Sequence, residues 1–327
     1  MRIVLNQRSA LAITVILIAM GVAIFFQVVS RTEEPKAVWH VVNVSVGKSV
    51  GNAHLIDVRG SMTLIDAGLH TQAKRYLVPY LQKLKITDID RIFVSHAHRD
   101  HYEGIRTILR AGIAVGKIFL KVPPQQICER ERFPGGCDYE DFLDFIQELE
   151  SAGVQVVTPS TGDRIYIGSD SDMLVLHAQE DDLPGDPIDI NDLSLIMRWS
   201  ISGSRVLFTG DLNHKIGSLL SEDARMKSQF LKMPHHGAMG HAPQKFFDQV
   251  DPDVAVVPGP QFIWCSERGA VARNWVESNE VLTWVSGIDG NLRIEFFENE
   301  ATVTPRFNVP DCRTRAFGKV TIPLRTF

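Results

Sequence analysis

One seven-residue stretch constrains this chain more than any other. Ser95-His96-Ala97-His98-Arg99-Asp100-His101 follows directly on Arg91–Val94, a short apolar run that reads as a buried strand. Three imidazoles and a carboxylate packed this closely cannot all face one way on a strand or a helix. On a loop at the strand's end they can converge on two cations. Imidazole suits Zn²⁺, Fe²⁺ or Mn²⁺, and a carboxylate suits the harder member of such a pair. His96, His98, Asp100 and His101 are therefore the first candidate metal ligands.

The same order, strand then ligand, recurs along the chain. Asp66-Ala67-Gly68 follows Met62–Ile65, Thr209-Gly210-Asp211 follows Arg205–Phe208, and Pro234-His235-His236-Gly237 follows Phe230–Met233. An aspartate after a strand is usually a turn former or helix cap, so the recurrence rather than any single instance carries weight. Asp211 is placed to bridge two cations, and Asp66 to hydrogen-bond a ligand imidazole from behind. Lys215, Arg225, Lys227 and Lys232 form a loose basic cluster in sequence that reads equally well as a solvated face.

Between these points, β-branched runs alternate with amphipathic stretches such as Tyr139–Ala152, which carries Phe142, Phe145, Ile146 and Leu149 on one side. Strands then helices, twice over, predict an α/β protein in four layers, a sheet sandwich covered by helices. Beyond about Glu300 the pattern fades into what reads as an irregular tail. With 44% hydrophobic and 22% charged residues, the 327-residue chain is neither disordered, collagenous nor a coiled coil. Its formal net charge of −5 speaks against a protein that coats nucleic acid through a broadly basic surface.

The N-terminus differs from the rest. Ser9 to Ser30 carries no charge and Leu11–Phe26 is almost wholly apolar. About 20 such residues cross a bilayer core of roughly 30 Å. Arg2 and Arg8 precede the run, which places the N-terminus in the cytoplasm and everything after Arg31 outside. The expected organisation is a cytoplasmic segment 1–8, a single-pass signal-anchor 9–30 in the cytoplasmic (inner) membrane, a linker 31–37, a catalytic domain 38–299 on the periplasmic or extracellular side, and a tail 300–327. A cleaved signal peptide, with Val28 and Ser30 before the cut and a secreted product, is the alternative. Cys128 and Cys137 flank a Pro-Gly-Gly turn that a disulfide would close, while Cys265 and Cys312 read equally as a second disulfide or as buried thiols.

The HxHxDH run identifies the family that the chain resembles. His96, His98, Asp100 and His101 match the signature of the metallo-β-lactamase superfamily residue by residue. The likeness extends from about Val38 to Phe297 and is greatest to the hydrolase domain of ComEC-type competence proteins. It rests on Leu64-Ile65-Asp66-Ala67-Gly68, Asn191-Asp192-Leu193-Ser194, Phe208-Thr209-Gly210-Asp211, Leu231-Lys232-Met233-Pro234-His235-His236-Gly237 and Ala255-Val256-Val257-Pro258-Gly259.

The resemblance implies an αββα metallo-β-lactamase fold with two divalent ions, zinc or manganese. His96 and His98 would hold the first ion, Asp100 and His101 the second with one of the adjacent histidines, His236 in preference to His235, and Asp211 would bridge them. His235 would face the substrate as an acid or phosphate contact, with Asn191 and Ser194 beside it. His177, the one histidine between the run and Asp211, is expected to be structural. The family's late His-Pro segment is replaced by Pro260-Gln261-Phe262.

The implied reaction is hydrolysis by a hydroxide between two cations, oriented by Asp211 and Asp100, with His235 protonating the leaving group. A phosphodiester is the favoured substrate: nucleic acid, a nucleotide or an envelope component. A lactam, lactone or thioester hydrolase is the alternative within the same chemistry. A non-catalytic subunit binding DNA or an unidentified protein partner through a relic site is the alternative outside it.

Overall fold

Strand alternation sorts the apolar residues onto three interfaces, and those interfaces define the layers. In the computed structural model, which describes residues 33–131, 136–178, 189–238, 242–312 and 315–327, two sheets face each other. The first contains β1 (Ala37–Val41), β2 (His54–Val58), β3 (Ser61–Ile65), β4 (Asp88–Phe93), β5 (Ala114–Phe119) and β6 (Gln155–Val157). β14 (Leu292–Phe296), β15 (Glu300–Pro305) and β16 (Val320–Pro323) extend it, in the order β16-β15-β14-β1-β2-β3-β4-β5-β6. The second runs β13-β12-β11-β10-β9-β8-β7. Its members are β7 (Arg164–Gly168), β8 (Ser171–His177), β9 (Ile196–Ile201), β10 (Ser204–Phe208), β11 (Phe230–Lys232), β12 (Val254–Val257) and β13 (Leu282–Val285).

Residues of alternate parity leave each strand on opposite faces. On β12, Val254 and Val256 join the core between the sheets, whereas Ala255 and Val257 join the core beneath the outer helices. Trp39 meets Phe208 across the sandwich at 5.2 Å between ring centroids, and Trp199 meets Phe296 at 5.1 Å. Each fully buried aromatic of this kind contributes roughly 1.5–3 kcal/mol.

The outer layers follow the helical period. In Tyr139–Ser151, Phe142, Phe145 and Leu149 pack on the first sheet, and the Asp138 carboxylate caps the helix by accepting from Asp141 N at 3.2 Å. Ile216, Phe247 and Trp275 cover the second sheet. The expected αββα sandwich is the architecture found.

One expectation needs revision. The stretch after Glu300 is not irregular: β15 pairs with β14, and β16 with β15, as consecutive antiparallel strands that end the sheet at β16. Their apolar residues, Ala301, Val303 and Ile322, enter the inter-sheet core. The His96–His101 run leads into two short helices, Arg99–Tyr102 and Gly104–Arg110. The anchor expected at 9–30 lies outside the described residues; among those described, no helix is long and apolar enough to cross a membrane.

Within each sheet a block of strands is parallel: β3 to β6 in the first and β10 to β13 in the second. The loops leaving the carboxyl ends of such strands are where α/β sheets gather ligands. Asp66, His96, His98, Asp211 and the His235–His236 pair follow such strand ends directly, and Asp100 and His101 lie on the short helix Arg99–Tyr102 that comes next.

Candidate metal centre

The first sheet delivers its side chains through a carboxylate hub. Asp66 leaves β3 with a left-handed φ of 58°, and its N–H donates to Phe93 O at 2.9 Å, tying together the ends of β3 and β4. Its Oδ1 accepts from Ser95 N at 2.8 Å, and its Oδ2 accepts from Ser95 Oγ at 2.8 Å. The same Oδ2 lies 2.8 Å from His101 Nδ1. A carboxylate on Nδ1 fixes the tautomer and leaves the Nε2 lone pair for a metal. His101 Nε2 is buried without a hydrogen-bond partner and stands 3.4 Å from Asp211 Oδ2 and 3.7 Å from Asp100 Oδ2. His96 Nε2 and His98 Nδ1 approach each other to 3.2 Å, so the two rings aim at one point.

The second sheet delivers the rest. Gly210 precedes Asp211 with φ 48°, and a Cβ there would lie 2.6 Å from Ser194 Oγ, so only glycine fits. Ser194 Oγ in turn accepts from Asp211 N at 3.0 Å. Asp211 Oδ2 is 3.1 Å from His236 Nε2, which is itself 3.3 Å from Asp100 Oδ2. His235 and His236 follow β11 in left-handed conformation, φ 49° and 55°, uncommon for such residues and concentrated at functional sites. His236 Nδ1 is 2.9 Å from Pro258 O, and His235 Nδ1 is 3.2 Å from Asn213 Oδ1.

Electrostatics follow from this crowding. Burial pulls the His101 ring down, but Asp211, Asp66 and Asp100 together outweigh it and hold the pKa well above the ordinary value. His236 is pushed up to about 9 by Asp211 and Asp100 against the same burial. Burial opposes ionisation of Asp211, yet His236, His101 and Lys232 hold its carboxyl well below the usual range. A cluster that draws protons onto two buried imidazoles carries an excess of carboxylate charge, which divalent cations neutralise. His96 is held low, first by burial and then by the charge of its neighbours. His235 is lowered to about 4, mainly by burial, so to act as an acid it must first take up a proton.

The structure brings most of the expected residues together. At this centre, among the described residues, two ligand-grade clusters form, His96–His101–Asp211 and Asp100–His101–His236, each with its donor atoms within 4.8 Å of one another, while His98 belongs to neither and meets the centre beside His96. The donor set, imidazole with carboxylate, suits Zn²⁺ or Mn²⁺. A cleft of about 340 Å³ opens over them, lined by His98, Asp100, Asp211, His235, His236 and Asn191. His177, at the end of β8, belongs to neither cluster.

Several residues escaped the sequence reading. Lys232 is no surface cation: it is 2% exposed, its ammonium donates to Gly210 O, and it lies 3.4 Å from Asp211 Oδ1. Its signal was a lone lysine inside an apolar strand. Asn52 donates to the same Oδ1 at 3.3 Å. Glu131 Oε2 is 2.8 Å from His98 Nε2, and nothing local in the sequence marks it. Both cysteine pairs are disulfides, Cys128–Cys137 and Cys265–Cys312, which resolves the open alternative for the second.

The chain is similar in sequence to proteins already known. ComE operon protein 3 of Bacillus subtilis is 24% identical over 190 residues, covering 56% of this chain and 22% of that protein. Recombination protein 2 of Haemophilus influenzae is 23% identical over 287 residues, covering 86% and 31%. Endoribonuclease YSH1 of Kluyveromyces lactis is 23% identical over 185 residues, covering 52% and 22%. The chain thus spans about a fifth to a third of the length of these curated relatives. Residues 46–259 match the sequence profile of the metallo-beta-lactamase superfamily, and the chain belongs to that superfamily.

Proposed function

We propose that the chain is a metal-dependent hydrolase acting on phosphodiester bonds. The observation that carries the metal assignment is the His101 ring, fixed on Asp66 through Nδ1 while its buried Nε2 faces two carboxylates without a hydrogen-bond partner. His96 and His98 would hold one ion, Asp100, His101 and His236 a second, and Asp211 would be shared. Two such ions supply a nucleophile from water at neutral pH and polarise a phosphoryl oxygen.

The chain's own residues do the rest. Asp66 and Ser95 hold His101, and Ser194 holds the Asp211 backbone, so the acceptors are fixed before substrate arrives. His235 and Asn191 line the cleft, and the buried Asn191 Oδ1 has no hydrogen-bond partner. Asn191 thus borders the substrate space, and His235 is placed to donate to the leaving group. Lys48 and Arg268 stand on the same lining, which suits the anionic phosphodiester. The nuclease named among the relatives supports the same choice.

In this reading the domain is exported and held at the cytoplasmic membrane by residues 9–30. The two disulfides support export, since such bonds persist in oxidising compartments. The test is metal analysis of the purified full chain, with turnover of bis-p-nitrophenyl phosphate compared with a chromogenic lactam under added Zn²⁺ or Mn²⁺. Diester turnover that a chelator abolishes is expected. Two ions with lactam turnover alone would replace the substrate class, and no ion with no turnover would end the enzymatic reading.

A further inference from the structure

We infer that Glu131 is a positioning residue for His98, and that the Cys128–Cys137 disulfide holds it in place, so that oxidation of this pair governs how tightly the centre retains metal. The inference rests on the metal-centre reading above and is independent of the substrate.

Four contacts carry it. Glu131 lies inside the loop that the disulfide closes, and its backbone is pinned to both half-cystines: Glu131 N donates to Cys128 O at 3.0 Å, and Cys137 N donates to Glu131 O at 3.3 Å. From that anchored backbone the side chain divides its carboxylate. Oε2 lies 2.8 Å from His98 Nε2, and Oε1 accepts from Ile190 N at 2.8 Å, next to the cleft residue Asn191. The Glu131 side chain is only 16% exposed and that of His98 9%, so solvent barely competes. Cys128 and Cys137 themselves are buried in the core beneath the first sheet.

The pairing reproduces on His98 what Asp66 does on His101. A carboxylate on the outer nitrogen fixes ring orientation and tautomer, and makes the inner nitrogen a better donor; losing such a partner typically costs about 10–100-fold in metal affinity. The difference lies in the anchoring. Asp66 is built into the strand ends, whereas Glu131 sits on a loop whose closure is covalent. A dithiol reductant would pass two electrons to the Cys128–Cys137 bond, giving two thiols and its own disulfide. That change would leave Glu131 held by hydrogen bonds alone.

The experiment uses the full chain, stripped and titrated with Zn²⁺ in a chelator-competition assay, with folding followed by circular dichroism. Three variants are compared with wild type: Glu131→Ala, Glu131→Gln and the paired Cys128→Ala/Cys137→Ala. The expected result is one of two ions weakened about 10–100-fold in Glu131→Ala, a smaller loss in Glu131→Gln, which keeps the hydrogen bond, and a loss in the cysteine pair. Combining Glu131→Ala with the cysteine pair should add nothing. Wild-type affinity for both ions in folded Glu131→Gln and Glu131→Ala, or in the folded cysteine pair, overturns the inference alone. A wild-type chain that binds no divalent ion overturns the metallohydrolase reading with it.

Discussion

The two halves of the centre come from different sheets and are held in place by different physics. On the first sheet the imidazoles are oriented by carboxylates: Asp66 on His101 and Glu131 on His98. On the second, the His236 ring is oriented by a backbone carbonyl, Pro258 O, and by left-handed backbone at His235 and His236. Charge therefore tunes the first half, while packing and backbone shape fix the second. The comparison predicts that charge-removing substitutions act through metal affinity in the first half, and that small steric changes act through geometry in the second.

Asp211 joins both halves, and its loss should have the largest effect. Asp211→Ala removes the carboxylate that faces His101 and His236 and takes from buried Lys232 its ion-pair partner. Diester turnover should fall by at least about 10³-fold, the upper end for one electrostatic contact, with metal content reduced in parallel. Turnover and metal content at wild-type level would break the assignment of Asp211 as the shared ligand.

Next in size come the substitutions that separate the halves. Asp66→Asn keeps a side chain that tolerates the left-handed backbone but removes the charge behind His101. Metal affinity should drop about 10–100-fold, read by chelator competition. Gly259→Ala places a Cβ 2.3 Å from His236 O, a backbone atom that cannot move aside without shifting the His236 turn. It should cost about 1–3 kcal/mol of stability and reduce turnover more than metal affinity. If Asp66→Asn acted on stability alone and Gly259→Ala on metal affinity alone, the contrast between the halves would be inverted.

The halves were also unequally legible in the sequence. Asp66, Asp211 and the ligand histidines announce themselves because each follows a strand by one to several residues, and strand ends are where such sheets gather ligands. The four-layer fold was legible for a related reason: alternation on strands such as Val254–Val257 and the 3.6-residue spacing of Phe142, Phe145 and Leu149 are local signals. Glu131 was not, because its partner lies 33 residues away and its position depends on a disulfide loop. Lys232 was misplaced because a lysine's burial is decided by the carboxylate it meets across the sheet edge. The C-terminal strands were missed because each buries only a short apolar face, Ala301 and Val303 on β15 and Ile322 on β16, with polar residues interleaved.

The smallest predicted effect tests the strap between the halves. Asp189 accepts from Asn213 Nδ2 at 2.6 Å, on the second-sheet loop that also steadies His235, and it precedes the Ile190 N–H held by Glu131 of the first half. Burial pushes the Asp189 carboxyl up to about 6, aided by the charges of Asp192 and Glu131, against a hydrogen bond from Asp192 N. Its folded pKa thus lies above its unfolded value of 3.8. The unfolded chain loses this proton first as pH rises, so the group's contribution is fully present in acid and is lost as pH climbs through about 6. Asp189→Asn holds the side chain permanently in the neutral form. The melting-temperature difference between variant and wild type should be near zero in strong acid, grow in the variant's favour between the two pKa values, and level off above the upper one. A difference independent of pH would mean that the strap is held by shape alone, as the second half is.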